Sequence, residues 1–90
     1  MLKSLYIVHD TVAQTCIGSI IQEQHDNSAA RAFYDALKHK DSILSQHPDD
    51  FRLLRIGEID NDGNLIPSMG GPIIVATGTI FKLSLEPSDA

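Results

Sequence analysis

The sequence predicts an α+β domain, with a mainly antiparallel sheet of about four to six strands and one principal helix packed on one face. Two observations carry this prediction. Segments rich in β-branched residues lie on both sides of one strongly helical segment, and they are joined by short links of the hairpin type. The length of 90 residues leaves room for a single domain, residues 1–90.

Two strands are predicted before the helix. Residues 5–9 (LYIVH) are β-rich and have apolar side chains on both faces. A loop follows Asp10, and a second strand is expected near residues 18–24, where Gly18 indicates a bulge. The only cysteine, Cys16, is expected to be a small buried hydrophobic residue, since it has no partner for a disulfide or a zinc site.

The helix is predicted over residues 29–40 (AARAFYDALKHK), which are rich in strong helix formers. Residues 26–28 (DNS) supply side-chain oxygens for its N-cap. Residues at three- and four-residue spacing form an apolar stripe: Ala29 or Ala30, Phe33, Ala36 and Leu37. The helix should end before Pro48, with Ile43 and Leu44 tucked under the sheet.

A strand is predicted over residues 51–60 (FRLLRIGEID), and both of its faces are apolar. Phe51 and Leu53 lie on one face, whereas Leu54 and Ile56 lie on the other. Such a strand is either central in the sheet or covered by a second copy of the chain.

The rest of the chain is predicted to be a hairpin and further strand structure. The turn is NDGN at residues 61–64, where the Asp-Gly pair favours a reverse turn. The segments that follow are a short strand at residues 64–67, a loop at 68–72, a β-rich stretch at 72–85 with a break or bulge at Gly78, and a frayed tail at 86–90.

Composition limits the classes of function. The formal net charge of −5 argues against a broad, charge-driven attraction to nucleic acid or to an anionic membrane. The sequence contains no apolar run of the length of about 20 residues that a membrane-spanning helix needs, and its start does not resemble a signal peptide. We therefore expect an intracellular protein with no membrane partner.

Neither a metal site, a cofactor site nor an active site is expected. Asp60, Asp62 and Asn64 resemble the opening of a calcium loop, but the twelfth position is Gly71, where a bidentate glutamate is required. Asp49 and the neighbouring aspartates lie in turn-like segments, where aspartate is common for backbone reasons. Because no serine or cysteine has a recognisable activating base, the protein is expected not to be an enzyme.

A modest concentration of cations is the remaining candidate site. The predicted DNA-binding residues are Arg31, Lys38, Lys40, Arg52 and Arg55, with Tyr6 and Tyr34 as stacking groups. Such a set would hold a phosphate backbone while the rings stack on bases. The alternative is that neighbouring aspartates balance these cations on a solvated surface.

Two segments carry a family resemblance. Residues 27–36 (NSAARAFYDA) and residues 48–60 (PDDFRLLRIGEID), followed by NDG, resemble the small non-structural protein of gokushoviruses, single-stranded DNA bacteriophages of the Microviridae. The resemblance covers about two-thirds of the chain, including the opening strand with Asp10, and the second segment is the more specific. The β-rich region near the end of the chain departs from it.

This resemblance implies a non-enzymatic protein that binds DNA, here expected to be single-stranded, in the cytoplasm of the infected bacterium. It would aid the switch from genome replication to packaging of single-stranded DNA. Because the molecule is acidic overall, its DNA surface must be local. A homodimer or a higher homo-oligomer is expected, and a symmetric dimer would align two such surfaces. The rival hypothesis is a module that binds phage or host replication and assembly proteins through a sheet edge or an apolar face, without contacting DNA.

Overall fold

A computed structural model describes residues 2–85 and confirms the α+β architecture, with one principal helix packed on one face of a five-stranded antiparallel sheet. The elements in chain order are β1 (Lys3–Asp10), β2 (Thr15–Glu23), α1 (Asp26–Lys38), α2 (Ile43–Gln46), a 3-10 turn (Pro48–Asp50), β3 (Phe51–Ile59), β4 (Leu65–Pro67), β5 (Ile73–Thr77) and α3 (Gly78–Leu85).

The sheet is organised around β3. The strand order is β2-β1-β3, and both β4 and β5 pair with the far side of β3. β4 pairs with Gly57 to Ile59, whereas β5 pairs with Arg52 to Arg55, so the two short strands share one edge. The position of β3 inside the sheet is thus confirmed, which was one of the two alternatives predicted for this strand.

The hydrophobic core lies between the sheet and α1. The stripe predicted from spacing is confirmed, because Ala29, Phe33 and Leu37 are the buried residues of α1. They pack against Tyr6 and Leu53 of the sheet, which are both 0% exposed. The remaining members of the core are Leu44, Phe51, Ala76 and Phe81.

The start of α1 differs from the predicted cap. The N-cap residue is His25, and no side chain accepts a hydrogen bond there. Asp26 is already in the first turn, and its carboxylate points to the sheet, where it accepts bonds from Tyr6 and Arg55. The negative charge remains favourable at a helix N-terminus even without a direct cap bond.

The segment between α1 and β3 forms two short helical turns. Ser42 caps α2 by accepting a hydrogen bond from the backbone N–H of Ser45. Leu44 is buried in the core as predicted, but Ile43 is 55% exposed. Ile43 and Leu44 are adjacent in a helix of one turn, so their side chains point in different directions and only one of them reaches the core. The prediction for Ile43 was wrong.

The predicted hairpin after β3 is confirmed. Gly63 has a φ of 85°, which glycine adopts without strain, and β4 returns antiparallel to β3. One oxygen of the Asp60 carboxylate accepts the backbone N–H groups of Asp62 and Asn64, and the other accepts the Asn64 side-chain amide. This aspartate therefore organises the turn.

Residues 78–85 form α3, so the predicted continuation of β structure past Gly78 was wrong. The hydroxyl of Thr77 accepts a hydrogen bond from the backbone N–H of Ile80, as an N-cap does. Phe81 turns into the core and stacks on Tyr34, with ring centroids 5.4 Å apart. Tertiary packing thus overrides the β propensity of this segment. The predicted frayed tail at 86–90 lies outside the described residues.

Cys16 was expected to be buried, and the structure corrects this prediction. It lies on β2, at the outer edge of the sheet, and its side chain is exposed. Its pairing partner across the strands is His9 of β1.

Candidate binding surface on the helix-free face of the sheet

The two faces of the sheet have different surroundings. The described helices contribute to a single core, into which Tyr6 and Leu53 point. Since side chains alternate along a strand, the residues between these core positions lie on the opposite face. We call this opposite side the helix-free face. It comprises Lys3, Leu5, Ile7, His9, Cys16, Ile20, Gln22, Arg52, Leu54, Ile56, Ile59, Leu65, Pro67, Ile74 and Thr77.

The middle of the helix-free face is aliphatic. Leu5 and Leu54 are 6% and 7% exposed, yet neither belongs to the core cluster, so neighbours on their own face bury them. Around them, Ile20, Leu65 and Ile74 leave 57%, 67% and 52% of their surface exposed. A shallow apolar groove of about 160 Å³ runs between Ile20 and Leu65. Contiguous exposed apolar surface of this kind is typical of a binding surface.

The charged strand residues are divided unevenly between the two faces. Lys3, His9 and Arg52 lie on the helix-free face. The carboxylates of the described strands lie on the other face, because Asp10 pairs with the core residue Phe51 and both Glu23 and Glu58 pair with Ser4. The helix-free face is therefore locally basic in a molecule whose net charge is −5.

These basic groups lie at the two ends of the face. Lys3 begins β1, whereas Arg52 pairs with His9 near the end of β1. His9 lies six positions after Lys3 along the strand, a distance of about 20 Å. The Nε of Arg52 donates a hydrogen bond to Nδ1 of His9 at 3.3 Å, which holds the guanidinium over this end of the sheet. The aliphatic surface thus lies between two cationic ends.

The structure separates the two arginines that the sequence grouped together. Arg52 lies on the helix-free face, but Arg55 pairs with Tyr6 and faces α1. There its Nη1 donates to both carboxylate oxygens of Asp26, at 2.9 and 2.8 Å. The hydrogen bond from Tyr6, followed by the bond and charge of Arg55, holds the pKa of Asp26 below its usual value. Arg55 is consequently neutralised by a carboxylate within the same chain.

Tyr6 does not have the position that base stacking needs. Its ring is 0% exposed in the core, and its hydroxyl donates to Asp26 at 2.6 Å. Burial, together with the hydrogen bond to the nearby carboxylate, raises the pKa of this phenol. Tyr34 is half-buried, and its ring packs between Phe33 and Phe81. The stacking role predicted for Tyr6 is therefore wrong, because the buried ring of Tyr6 has no face open to a base.

The helical cations form a separate group. Arg31 and Lys38 are exposed on α1, and Lys40 is exposed in the turn after it. They lie on the helix side of the sheet, across the molecule from Arg52. The residues that sequence reasoning missed are Lys3 and His9. The signal for them was present in the alternation of β1, which places both on the same face as Leu5.

The acidic residues considered for metal binding do not converge. Asp49 accepts hydrogen bonds from Thr79 and Lys82 of α3, whereas Asp60 organises the turn at the far end of β3. The intervening strand of nine residues is about 30 Å long. Within residues 2–85, no group of three or more His, Cys, Asp or Glu side chains has a geometry that could hold a metal ion.

None of the helices in the described part of the chain is both long and apolar enough to cross a membrane.

The fold defines a class of protein: a small α+β domain in which the described helices pack on one face of an antiparallel sheet and leave the other face without a helix. Comparison with protein families gives a more specific result. Residues 3–81 match the family described as Phage ORF5 protein, so the chain belongs to this bacteriophage family. Searches of curated proteins and of solved structures found no match.

Proposed function

We propose that this phage protein is a non-enzymatic, single-stranded-DNA-binding protein and that the helix-free face carries the DNA. One observation supports the proposal above all others: Lys3, His9 and Arg52 share this face with no carboxylate on the described strand positions. A nucleic acid strand is attracted to a locally positive surface even when the whole protein is acidic.

The resemblance to gokushovirus non-structural proteins gives this binding a biological setting. The protein would act in the cytoplasm of the infected bacterium and would aid the switch from genome replication to packaging of single-stranded DNA. Membership in a bacteriophage family supports the setting in an infected bacterium.

The cationic ends of the helix-free face would contact phosphate groups of the DNA. Lys3 is exposed, and Arg52 is half-exposed, so both are accessible to a phosphate group. The aliphatic middle would contact sugars and bases without reading sequence, because it offers few hydrogen-bonding groups. With only two permanently charged contacts per chain, binding should be modest, and a salt slope of about 1.4 should lower the affinity about sevenfold between about 50 and 200 mM salt.

Fluorescence anisotropy with a labelled oligonucleotide tests the proposal, measured at about 50 and 200 mM salt. The informative variant is Lys3→Gln with Arg52→Gln, which removes two charges from the helix-free face. The matched control is Arg31→Gln with Lys38→Gln, which removes two charges from the exposed side of α1. Each phosphate contact contributes about 0.7 to the salt slope for a single strand, so the first variant should lower the slope by about 1.4.

The control variant should retain most of the affinity of the unmodified protein. The opposite pattern, with loss only in the Arg31 and Lys38 variant, would move the DNA to the helix side. An unmodified protein that does not bind the oligonucleotide at the lower salt concentration would overturn the proposal altogether.

A second candidate function follows from the composition of the same face. Single-strand binders usually stack bases on aromatic rings, and the strand residues of the helix-free face include none. Its exposed isoleucines and leucine suit a protein partner from the phage or the host better. Replacement of Ile20 and Ile74 by serine would then abolish binding to that partner at any salt concentration, whereas loss of Lys3 and Arg52 would have a smaller effect.

A further inference from the structure

Strand β2 forms one edge of the sheet and pairs only with β1 among the described strands. Its nine residues, TCIGSIIQE, contain no proline and no lysine, and their one charge is Glu23 at the end. The opposite edge is different, since it consists of two shorter strands, β4 with three residues, which ends in Pro67, and β5 with five residues. Edge strands are usually protected from pairing with other chains by proline, by lysine, by a bulge or by a covering element. β2 has no proline and no lysine, its side chains are mostly exposed, and its bulge is confined to residues 18–20.

The apolar residues of β2 on the helix side are symmetric about the middle of the strand. Ile17 and Ile21 lie two positions before and two positions after Ser19. Both are partly buried and pack against the core from its edge, so each leaves apolar surface beyond the reach of α1. A second β2 running in the opposite direction and centred on the same serine would cover both.

We propose that β2 is a self-association surface, on which the β2 strands of two copies pair antiparallel about a twofold axis at Ser19. Ile17 then lies opposite the partner's Ile21, and the two cores join through four isoleucines. On the helix-free face, Cys16 lies opposite the partner's Gln22. Thr15 lies opposite the partner's Glu23, so no like charges meet across the new pair.

The irregular middle of β2 is compatible with this pairing. Gly18 has a φ of 76°, and the register with β1 shifts between Ile17 and Ile21. On either side of this bulge, residues 15–17 and residues 21–23 pair regularly with β1. The pairing about Ser19 brings one regular half opposite the other, so the bulges meet only at the axis. This register also gives the greatest possible overlap of the two strands.

The dimer is independent of DNA binding, but it would extend the proposed surface. The two sheets would become one continuous sheet with their helix-free faces side by side, since the twofold axis is perpendicular to the sheet. Lys3 and Arg52 would then be present twice on one surface. A failure of the dimer experiment would leave the anisotropy result unaffected, and the reverse also holds.

Disulfide trapping of the variant Gln22→Cys tests the register. Residues directly opposite in an antiparallel pair have Cα atoms about 4.5–5.5 Å apart, within the range that a disulfide needs. We expect this variant to form a covalent dimer under mild oxidation, through Cys16 of one copy and the introduced cysteine of the other. Within a single chain the two positions pair with His9 and Leu5, which are four residues apart on β1, so they lie about 13 Å apart along the sheet and cannot be joined.

Two control proteins make the trapping specific. The only cysteine of the unmodified protein is Cys16. In the proposed register it lies about 13 Å from the partner's Cys16, so this protein should stay monomeric on a non-reducing gel. The combination Gln22→Cys with Cys16→Ser should also stay monomeric. A covalent dimer that forms equally well without Cys16 would overturn the register, since it would reflect random collision.

Sedimentation equilibrium of the unmodified protein tests the association itself. The variant Ser19→Lys places two like charges at the axis, and its control is Ser19→Thr, which keeps the hydroxyl, suits a strand and adds no charge. We expect the mass to rise towards that of two chains with concentration in the unmodified protein and in Ser19→Thr, but not in Ser19→Lys. A mass of one chain for the unmodified protein at every concentration, or a dimer that Ser19→Lys leaves intact, would overturn the proposal.

Discussion

The hydroxyl of Tyr6 donates a hydrogen bond of 2.6 Å to the carboxylate of Asp26, a residue 20 positions further along the chain. The same carboxylate accepts Nη1 of Arg55 at 2.8 Å. One side chain in the first turn of α1 therefore connects that helix to two neighbouring strands, β1 and β3. This network therefore joins the N-terminal end of α1 to the sheet.

Replacement of Tyr6 by phenylalanine removes the hydroxyl and keeps the buried ring. We expect the free energy of unfolding to fall by about 1–2 kcal/mol, the low end of the range for a hydrogen bond to a charged group, since water reaches Asp26. Urea denaturation at neutral pH measures the change. Tyr34→Phe is the matched control, and an equal loss there would show that the Asp26 bond is not the cause.

The lowered pKa of Asp26 predicts a specific loss of stability in acid. A carboxyl group whose pKa is lower in the folded than in the unfolded state stabilises the fold fully above its ordinary pKa of 3.8. This contribution is lost as the pH falls through the lower folded-state pKa. The stability difference between the unmodified protein and Asp26→Asn should therefore be largest near neutral pH and should shrink below about pH 4.

Denaturation midpoints collected between neutral pH and pH 2.5 test this dependence. Asp35→Asn, which removes a charge from the exposed side of the same helix, is the control for net charge. A difference between the unmodified protein and Asp26→Asn that stays constant across this range would contradict the assigned role of the carboxylate.

Local patterns in the sequence were sufficient to predict the helix, the central strand and the hairpin. The spacing of Ala29, Phe33 and Leu37 defines a helical face by itself, and the Asp-Gly pair before Asn64 defines a turn. The apolar character of both faces of β3 was also visible. These features depend on residues close together in sequence, where geometry follows directly from the period of the backbone.

The parts that could not be predicted depend on long-range contacts. The β-rich composition of residues 78–85 gave no indication that Phe81 would stack on Tyr34 and favour a helix. The grouping of Arg52 with Arg55 ignored the alternation of a strand, which places residues three apart on opposite faces. Tyr6 resembled a surface stacking group until the pairing of β1 with β3 placed it under α1.

Gly78 is predicted to be intolerant of any side chain. A Cβ at this position would overlap the carbonyl oxygen of Pro48, which is backbone and cannot rotate away. We expect Gly78→Ala to lower the free energy of unfolding by about 2–3 kcal/mol, because α3 must move away from the 3-10 turn. Thermal denaturation measures this loss.

The movement of α3 would also weaken the ion pair between Lys82 and Asp49, at present 3.1 Å long. Ile80→Ala is the control within the same helix, since Ile80 is 61% exposed and its truncation leaves the turn untouched. If Gly78→Ala were as stable as this control, the close contact with Pro48 would not be present in solution.

The assignment of the two sheet faces predicts opposite outcomes for a pair of substitutions on neighbouring strands. Leu53 is 0% exposed under α1, so Leu53→Ala should lower the free energy of unfolding by about 3 kcal/mol through lost transfer energy and the remaining cavity. Ile74 pairs with Leu54 on the helix-free face and is 52% exposed, so Ile74→Ala should lower it by less than about 1 kcal/mol. Urea denaturation of dilute protein measures both.

Two other outcomes are distinguishable for Ile74→Ala. A large loss of unfolding free energy that grows with protein concentration would mean that another chain covers the face. A large loss that is independent of concentration would contradict the assignment of the faces.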